Sequence, residues 1–248
     1  MNKLFNLSFI ACIAFALSVL SCGDNKDNEP ELPIEPELPK DTIIPEEPID
    51  TVVPTIDEYG ICIDKEVNLG LSVKWAGWNV GASSPNGYGG YYAWGEIEEK
   101  KYFTWGNYMY YDSQTGGCID IGTDISGTEY DVVAQTWGDN WRIPTHDEFG
   151  ELKLKCSWTW LQYKGVNGYK VTGLNGNSIF LPAAGYYGVG WGSALSLDGR
   201  YGYYWSASTR VGTSLNAWRF NFGEGYCENN SSYSRAGGFT IRPVKNKM

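Results

Sequence analysis

The sequence predicts an α+β domain in which short strands predominate and two helices stand out. Beyond residue 57, aromatic and β-branched runs alternate with glycine and asparagine, as at 71–75, 168–172, 178–181 and 217–222. Such runs between turn residues are typical of strands. Asn175-Gly176 separates two of them, and this dipeptide is a strong signal for a hairpin turn. The four Trp-Gly dipeptides share no period, which argues against a propeller or a solenoid.

Two segments predict helices. Thr145 and Glu148 have the spacing of a capping box, in which each side chain accepts a hydrogen bond from the other residue's backbone N–H. Apolar residues follow at three- and four-residue spacing, so this helix is expected to run to about Lys155. A second, shorter helix is expected over residues 128–136 and should end at Gly138.

The first 22 residues predict a lipoprotein signal peptide. A basic start is followed by an apolar run from Leu7 to Leu20, which is too short to span a bilayer but suits a secretory signal. Val19-Leu20-Ser21-Cys22 then reads as a lipobox. We therefore expect residues 1–21 to be removed and Cys22 to carry the lipid, which makes the membrane a partner through this anchor. The alternative is an ordinary signal peptide followed by an incidental cysteine.

Residues 22–56 predict a lipidated cysteine followed by an acidic, proline-rich stalk. Between residues 23 and 60 there are twelve acidic residues, two lysines and seven of the chain's eleven prolines. Proline fixes φ and like charges repel, so the segment should be extended, with a reach on the order of 100 Å. Residues 61–248 have a net charge of only −1, with no basic stripe. Nucleic acid is therefore not expected as a partner.

Two features of the stalk suggest display outside the cell. Acidic residues directly after Cys22 resemble the surface-export signals of certain Gram-negative lipoproteins. Asp41-Thr42-Ile43 and Asp50-Thr51-Val52 resemble short O-glycosylation sites of such bacteria, which makes Thr42 and Thr51 candidate acceptors. The alternative is that any acidic linker containing threonine produces such triplets. We expect an outer-membrane lipoprotein with its domain exposed at the cell surface.

Several short motifs occur in a fixed order along residues 57–248. They are Val-Asn-Leu-Gly-Leu-Ser-Val-Lys-Trp-Ala at 67–76, Asn-Val-Gly-Ala at 79–82, Tyr-Tyr-Ala-Trp-Gly-Glu at 91–96, Asn-Trp-Arg-Ile-Pro-Thr at 140–145, Phe-Leu-Pro-Ala-Ala-Gly-Tyr at 180–186, Tyr-Trp-Ser-Ala-Ser at 204–208 and Ile-Arg-Pro-Val at 241–244. In this order and spacing they resemble the FISUMP family, the major paralogous domain of bacterial surface lipoproteins. The Trp-Arg-Ile-Pro-Thr segment and the terminal Gly-Phe-x-x-Arg also resemble the formylglycine-generating-enzyme and C-type-lectin-like superfold.

The resemblance implies architecture and location rather than an activity. It implies a C-type-lectin-like α+β fold, with two helices packed on twisted antiparallel sheets and long irregular loops that form the binding face. Calcium-dependent lectins of this superfold use Glu-Pro-Asn or Gln-Pro-Asp with Trp-Asn-Asp, and none of these occurs in residues 57–248. Formylglycine-generating enzymes use paired cysteines near the end of the domain, where only Cys227 lies.

The residues themselves offer little for catalysis or metal binding, so we expect no catalytic residue, metal or cofactor. The single histidine, His146, falls in the first turn of the predicted helix. Glu96, Glu98 and Glu99 form an acidic cluster with Lys100 and Lys101, a pattern more typical of a solvated turn than of a glycosidase pair. Four cysteines lie in the domain, and we expect them to be paired or buried: Cys62, Cys118, Cys156 and Cys227.

Two stretches rich in tyrosine, asparagine, serine and glycine are candidates for ligand binding, at 186–191 and 210–235. This composition is how antibody paratopes combine rigid aromatic area with adaptable hydrogen bonding. The candidate residues are Tyr186, Tyr187, Trp191, Asn216, Arg219, Tyr226, Asn229, Asn230, Tyr233 and Arg235. The alternative is that the stretches are turns between strands, with Tyr204, Trp205, Trp218 and Phe220 in the core.

These observations together predict a lipid-anchored, surface-exposed ligand-binding module. It would recognise an extracellular glycan, glycoprotein or surface protein without calcium. One alternative is a carbohydrate-active or protein-modifying enzyme whose carboxylates, such as Glu96 and Asp139, converge only in the fold. Another is a structural component of a surface assembly or pilus tip, which a long unpaired edge strand would favour.

Overall fold

The computed structural model describes residues 53–247 except 139, 191 and 193. The signal peptide, Cys22, Thr42, Thr51, Asp139 and Trp191 lie outside the described residues. The helices are α1 (Val132–Trp137) and α2 (His146–Lys155). The strands are β1 (Glu66–Val67), β2 (Val73–Ala76), β3 (Tyr111–Asp112), β4 (Gly117–Cys118), β5 (Trp141–Arg142), β6 (Ser157–Tyr163), β7 (Val166–Thr172), β8 (Ser178–Pro182), β9 (Tyr186–Tyr187), β10 (Leu195–Ser196), β11 (Tyr201–Thr209), β12 (Asn216–Gly223), β13 (Tyr226–Ser234) and β14 (Val244–Asn246).

The strands of the described chain form several small antiparallel sheets. Three of these sheets have the orders β1-β2-β14-β5, β6-β7-β8 and β11-β12-β13, and two are the ribbons β3-β4 and β9-β10. The architecture is therefore mainly β with two short helices, as the α+β prediction required. Among the described residues, neither helix is long and apolar enough to cross a membrane.

The predicted helix after Thr145 is confirmed. The Thr145 hydroxyl accepts from the backbone N–H of Glu148 at 3.2 Å, and the Glu148 carboxylate accepts from the backbone N–H of Thr145 at 2.8 Å. The two bonds satisfy donors that a helix start leaves without partners. Phe149 and Leu152 of this helix are buried, so its apolar spacing was read correctly.

The other helix is confirmed, but its predicted start is wrong. It begins at Val132 rather than at Thr128, because Asp131 is its N-cap and accepts from the backbone N–H groups of Val133 and Ala134. The second oxygen of Asp131 accepts from the backbone N–H of Ile143 at 2.9 Å. This buried carboxylate therefore joins α1 to the chain that enters α2.

The predicted hairpin around Asn175-Gly176 is also confirmed. β7 and β8 pair in register from Thr172 opposite Ser178. Gly176 has φ +86°, a conformation that glycine adopts without steric cost. Turn chemistry alone thus predicted the position of this hairpin.

The β11–β12–β13 sheet is a middle layer with apolar side chains on both faces. On the face toward α2, Phe149 stacks on Phe220 with ring centroids 4.9 Å apart, and Trp158 of β6 lies 5.5 Å from the same ring. On the opposite face, Trp205 stacks on Phe239 at 4.3 Å. The sheet therefore separates two aromatic cores, one packed on each of its faces.

The sequence places Arg142 and Arg242 close to prolines, where each is expected to satisfy carbonyls or an acid at the end of an element, and both expectations are confirmed. Arg242 is fully buried, and its guanidinium donates to Asn79 Oδ1 at 2.7 Å, the Ala76 carbonyl at 3.0 Å and the Phe180 carbonyl at 2.7 Å. Arg142 donates through Nη1 to Glu148 Oε2 at 2.8 Å. Arg242 thus joins the end of β2, the middle of β8 and the last segment of the chain.

The prediction that the acidic cluster near Glu96 is a solvated turn is wrong for Glu96 itself. This residue is buried, pairs with Lys100 and accepts from the backbone N–H of Met109 at 2.7 Å. Its partner Met109 is thirteen residues away, so the local pattern gave no sign of the burial. Glu98 and Glu99 are exposed, as expected.

The sequence also places the aromatic residues around the first predicted helix in the core, namely Trp141, Phe149, Trp158 and Trp160, and this prediction holds in part. Trp141 is buried, but Trp158 and Trp160 are only half-buried because they lie on β6, an edge strand. All four cysteines of the described chain are free thiols; Cys62 is buried and the other three are half-buried. Tyr204, Trp205 and Phe220 are fully buried, as the turn-and-core alternative for this region proposed, whereas Trp218 of the same alternative is only half-buried.

Candidate functional site

Residues 216–234 of the second candidate stretch form a β-hairpin: the strand predicted at 217–222 is confirmed, but residues 226–234 form a second strand rather than a loop. Cross-strand pairing runs from Asn216 opposite Ser234 to Gly223 opposite Tyr226. Because side chains alternate along a strand, the hairpin divides its residues between two faces. Trp218, Phe220 and Phe222 lie toward α2, whereas Ala217, Arg219 and Asn221 lie on the opposite face.

We call the second face the tyrosine face. It contains four tyrosines, one arginine and one asparagine from the three strands: Tyr201, Tyr203, Arg219, Asn221, Tyr226 and Tyr233. Tyr186 of β9 packs onto it, with its ring 4.8 Å from Tyr203 and 5.6 Å from Tyr233. The face therefore gathers Tyr186, Arg219, Tyr226 and Tyr233, which the sequence singled out.

A glycine separates two tyrosines at one end of the tyrosine face. Tyr201, Gly223 and Tyr226 lie side by side in register on β11, β12 and β13. A Cβ atom at position 223 would lie 2.7 Å from the Tyr201 ring and 2.9 Å from the Tyr226 ring. The two ring centroids are 6.2 Å apart with an interplanar angle of 50°. The absent side chain therefore lets both rings lie over Gly223, close enough to pack against each other.

The two rings also line a groove with a volume of about 350 Å³. Its aromatic lining is Trp160, Tyr201 and Tyr226, and its polar lining is Asn167, Arg200 and Glu224. The side chains come from three parts of the chain that the sheets bring together. A volume of this size lies at the small end of the range for small-molecule sites.

The turn that carries Glu224 and Tyr226 is fixed from below. The Tyr169 hydroxyl donates to the Gly223 carbonyl at 3.1 Å and accepts from the backbone N–H of Gly225 at 3.0 Å. The Tyr169 ring also packs edge-on against Trp160 at 5.1 Å. One buried residue of β7 therefore positions both the turn and the aromatic wall of the groove.

The polar groups of the groove retain capacity for a ligand. Asn167 donates from Nδ2 to the Gly199 carbonyl at 3.0 Å. Among the described residues, neither Arg200 nor Glu224 forms an ion pair, and both are exposed. The groove therefore presents a cation, an anion and an amide beside three aromatic rings.

Arg219 lies deeper on the tyrosine face. Its guanidinium carbon is 4.8 Å from the Tyr203 ring centroid and 5.3 Å from that of Tyr233, and its Nε and Nη2 donate to Ser231 Oγ at 3.1 and 3.0 Å. Burial lowers the pKa of this guanidinium from its ordinary value. The group is held by rings and by one hydroxyl rather than by a carboxylate.

The structure separates other predicted residues from this face. Tyr187 packs on Tyr91 and Phe103, with centroids 5.0 and 5.5 Å away. Asn229 lies toward α2, where its carbonyl is 2.9 Å from His146 Nε2.

The last three described candidates have different settings. Arg235 is only 4 % exposed and its guanidinium stacks on Trp94 at 4.3 Å. Asn216 is half-buried at the start of β12, and Asn230 is exposed on β13. Trp191 lies outside the described residues.

Sequence reasoning missed Trp160, Tyr201, Tyr203, Asn221 and Gly223. Trp160 was assigned to the core because it follows the predicted helix. The tyrosines at 201 and 203 carried a usable signal, since positions i and i+2 of a strand share a face. Nothing local indicated that a glycine on the next strand would let the rings of Tyr201 and Tyr226 pack beside each other.

A second cavity, of about 560 Å³, lies between α1 and β5. Its lining includes Asp124, Asn140, Arg142 and Asn246. Arg142 already donates to Glu148 and to Asn246 Oδ1, the latter at 2.8 Å. Its principal charge is thus engaged within the protein, so the groove at Tyr201 and Tyr226 is the stronger candidate.

The described residues contain no cluster of three or more histidine, cysteine, aspartate or glutamate side chains arranged to hold a metal ion. Comparison with known proteins found no matching family model, no matching curated protein and no matching solved structure. The resemblance to FISUMP lipoproteins therefore stays a prediction that rests on the motifs themselves.

Proposed function

We propose that this protein is a lipid-anchored, surface-exposed module that binds a saccharide without calcium, in the groove beside Tyr201 and Tyr226. The observation that carries the proposal is the Tyr201–Gly223–Tyr226 row with Trp160 beside it. The groove and the row come from positions that only the folded sheet brings together.

The chemistry of the groove suits a sugar. The C–H face of a pyranose ring is apolar and packs on aromatic rings, which offer large rigid surfaces at low entropic cost. The hydroxyl groups at its rim need donors and acceptors, and Asn167, Arg200 and Glu224 offer both.

Binding is favoured over catalysis by the acid count of the groove. Glycosidases with the common mechanism use two carboxylates on either side of the scissile bond. Glu224 is the only carboxylate among the described residues that line this groove. The enzyme alternative named Glu96 and Asp139. The Glu96 carboxylate already pairs with Lys100 and accepts from the backbone N–H of Met109, and Asp139 lies outside the described residues.

A structural role in a surface assembly is the second candidate. Within the described chain, β13 pairs only with β12, so this nine-residue strand forms a sheet edge. A long edge presents unpaired backbone groups to which another strand can add. The mass of the purified protein in solution distinguishes the candidates, because strand addition between copies predicts oligomers and a monovalent binding module predicts a monomer.

The test is binding of the purified full-length protein to a broad glycan and mucin array, with and without a chelator. We expect saturable, chelator-insensitive binding that Tyr226→Ala weakens by about fivefold, since one aromatic contact contributes about 1 kcal/mol. Tyr102→Ala is the matched control, because Tyr102 is 37 % exposed and Tyr226 is 43 % exposed. Absence of binding to every glycan would overturn the proposal, and equal losses in the two variants would exclude this groove.

A further inference from the structure

Arg219 is a partly buried cation that forms no ion pair with a carboxylate among the described residues, and the Glu228 charge acts on it only at longer range. Its only hydrogen-bond acceptor there is Ser231 Oγ. The nearest acid on the face, Glu228, accepts instead from Asn221 Nδ2 at 3.1 Å. Removing a guanidinium from water without an anion is costly, so an arrangement of this kind favours an external anion.

Three other arginines that are at least partly buried, Arg142, Arg235 and Arg242, have different settings. Arg142 meets the Glu148 carboxylate, and Arg242 places its donors on three oxygen atoms. Arg235 also lacks a carboxylate, but it is only 4 % exposed and lies under Trp94. Arg219 is the one of these four that is both half-exposed and without an acid or a set of carbonyls.

The side-chain oxygen of Asn221, on the same face, also lacks a partner. Asn221 is 4 % exposed, and its Oδ1 atom accepts no hydrogen bond within the described chain. It lies on β12 between Arg219 and Gly223, and so between the cation and the groove. Four residues of a strand span about 13 Å, so a ligand seated in the groove reaches Arg219 only if it has a further unit.

We propose that the ligand of the groove is an acidic oligosaccharide, with a neutral unit on Tyr201 and Tyr226 and an anionic group on Arg219. This inference rests on the proposed function and adds the class of ligand. The planar guanidinium presents paired donors that match a carboxylate or a sulfate. The rings of Tyr203 and Tyr233 hold the guanidinium in place, so little rotamer entropy is lost when the anion binds.

The experiment measures affinities of the purified full-length protein for matched oligosaccharides. Each set contains a neutral chain and the same chain carrying one sialic acid, one glucuronic acid or one sulfate ester. We expect the acidic members to bind about tenfold more tightly, and Arg219→Gln to abolish that preference, so that acidic and neutral chains bind the variant equally. The matched control is Arg210→Gln, which removes an exposed arginine that contacts Ser232 and Trp218 of the same sheet.

The comparison that fails shows which of the two proposals is wrong. Equal affinity of the wild-type protein for neutral and acidic chains would overturn this inference and leave the saccharide site intact. Equal weakening of both by Arg219→Gln would assign Arg219 to the fold. If no saccharide binds at all, both proposals fail. Should Arg219→Gln not fold, the wild-type protein still decides, because added salt must weaken binding of the acidic chains only.

Discussion

At the scale of single residues, the partners of a side chain decide its role more than its type does. Arg142, Arg219 and Arg242 are all guanidinium groups at least partly removed from water, yet each has a different environment. A carboxylate, a hydroxyl with aromatic rings, and a set of carbonyl and amide oxygens surround them respectively. Only the second of these environments leaves the charge available to a ligand.

Arg242→Met tests the structural role of the fully buried arginine. The change removes three hydrogen bonds and leaves the oxygens of Ala76, Asn79 and Phe180 without donors. We expect the free energy of unfolding to fall by about 3 kcal/mol or more. Urea unfolding followed by tryptophan fluorescence measures it, with exposed Arg210→Met as control. A fall of less than about 1 kcal/mol would show that these oxygens find other partners.

Residue roles were predictable from the sequence where a near neighbour determines them. The structural role of Arg142 could be predicted because its partner Glu148 lies only six residues away, in the first turn of α2. Glu96 was assigned wrongly because its burial depends on Met109. The groove residues Trp160 and Tyr201 were missed for the same reason, since they meet only when separate sheets pack.

At the scale of elements, short-range signals were sufficient for helices and turns but not for the candidate binding region. The capping box at Thr145 and the turn at Asn175-Gly176 depend on adjacent residues and were predicted correctly. β13 is rich in asparagine and serine, which have low strand propensity, so its sequence resembles a loop. Pairing with β12 along nearly its whole length overrides that propensity.

Glu151 joins α2 to the chain before β2, and the effect of replacing it on the free energy of unfolding should depend on pH. Its carboxylate accepts from the backbone N–H of Ser72 at 3.0 Å and from Lys155 Nζ at 2.9 Å, which joins α2 to the chain before β2. Burial alone would raise the pKa of the Glu151 carboxyl, but these hydrogen bonds outweigh it and hold the pKa below its ordinary value of 4.5. A lowered pKa stabilises the fold above pH 4.5, and that contribution is lost as the pH falls through the folded-state pKa.

Glu151→Gln should therefore lower the free energy of unfolding by about 1 kcal/mol at pH 7 and by much less at pH 3. Urea unfolding of both proteins at the two pH values measures the difference. Asp147→Asn is the control, because the Asp147 side chain on the same helix is almost fully exposed. A difference of the same size at both pH values would mean that the carboxylate charge contributes nothing.

At the scale of the whole molecule, the site depends on strand order that no local pattern contains. β2, near the start of the described chain, pairs with β14 at its end, and the order β1-β2-β14-β5 joins segments far apart in sequence. The groove likewise draws Trp160 from β6, Tyr201 from β11 and Tyr226 from β13. The sequence predicted most of the elements and the kinds of side chain in the site, but it did not predict which residues meet there.

The anchor is the whole-molecule prediction that the sequence makes most directly. If Cys22 carries the lipid, the wild-type protein should incorporate labelled palmitate and sediment with membranes, because several acyl chains hold a protein stably where a single one is marginal. Cys22→Ser should lose both properties, whereas Cys118→Ser, a half-buried thiol of the domain, should retain them. Protease added to intact cells should remove the wild-type domain if the stalk displays it outside. Label and membrane association retained by Cys22→Ser would place the anchor elsewhere, and a domain protected from protease would contradict surface display while leaving lipidation standing.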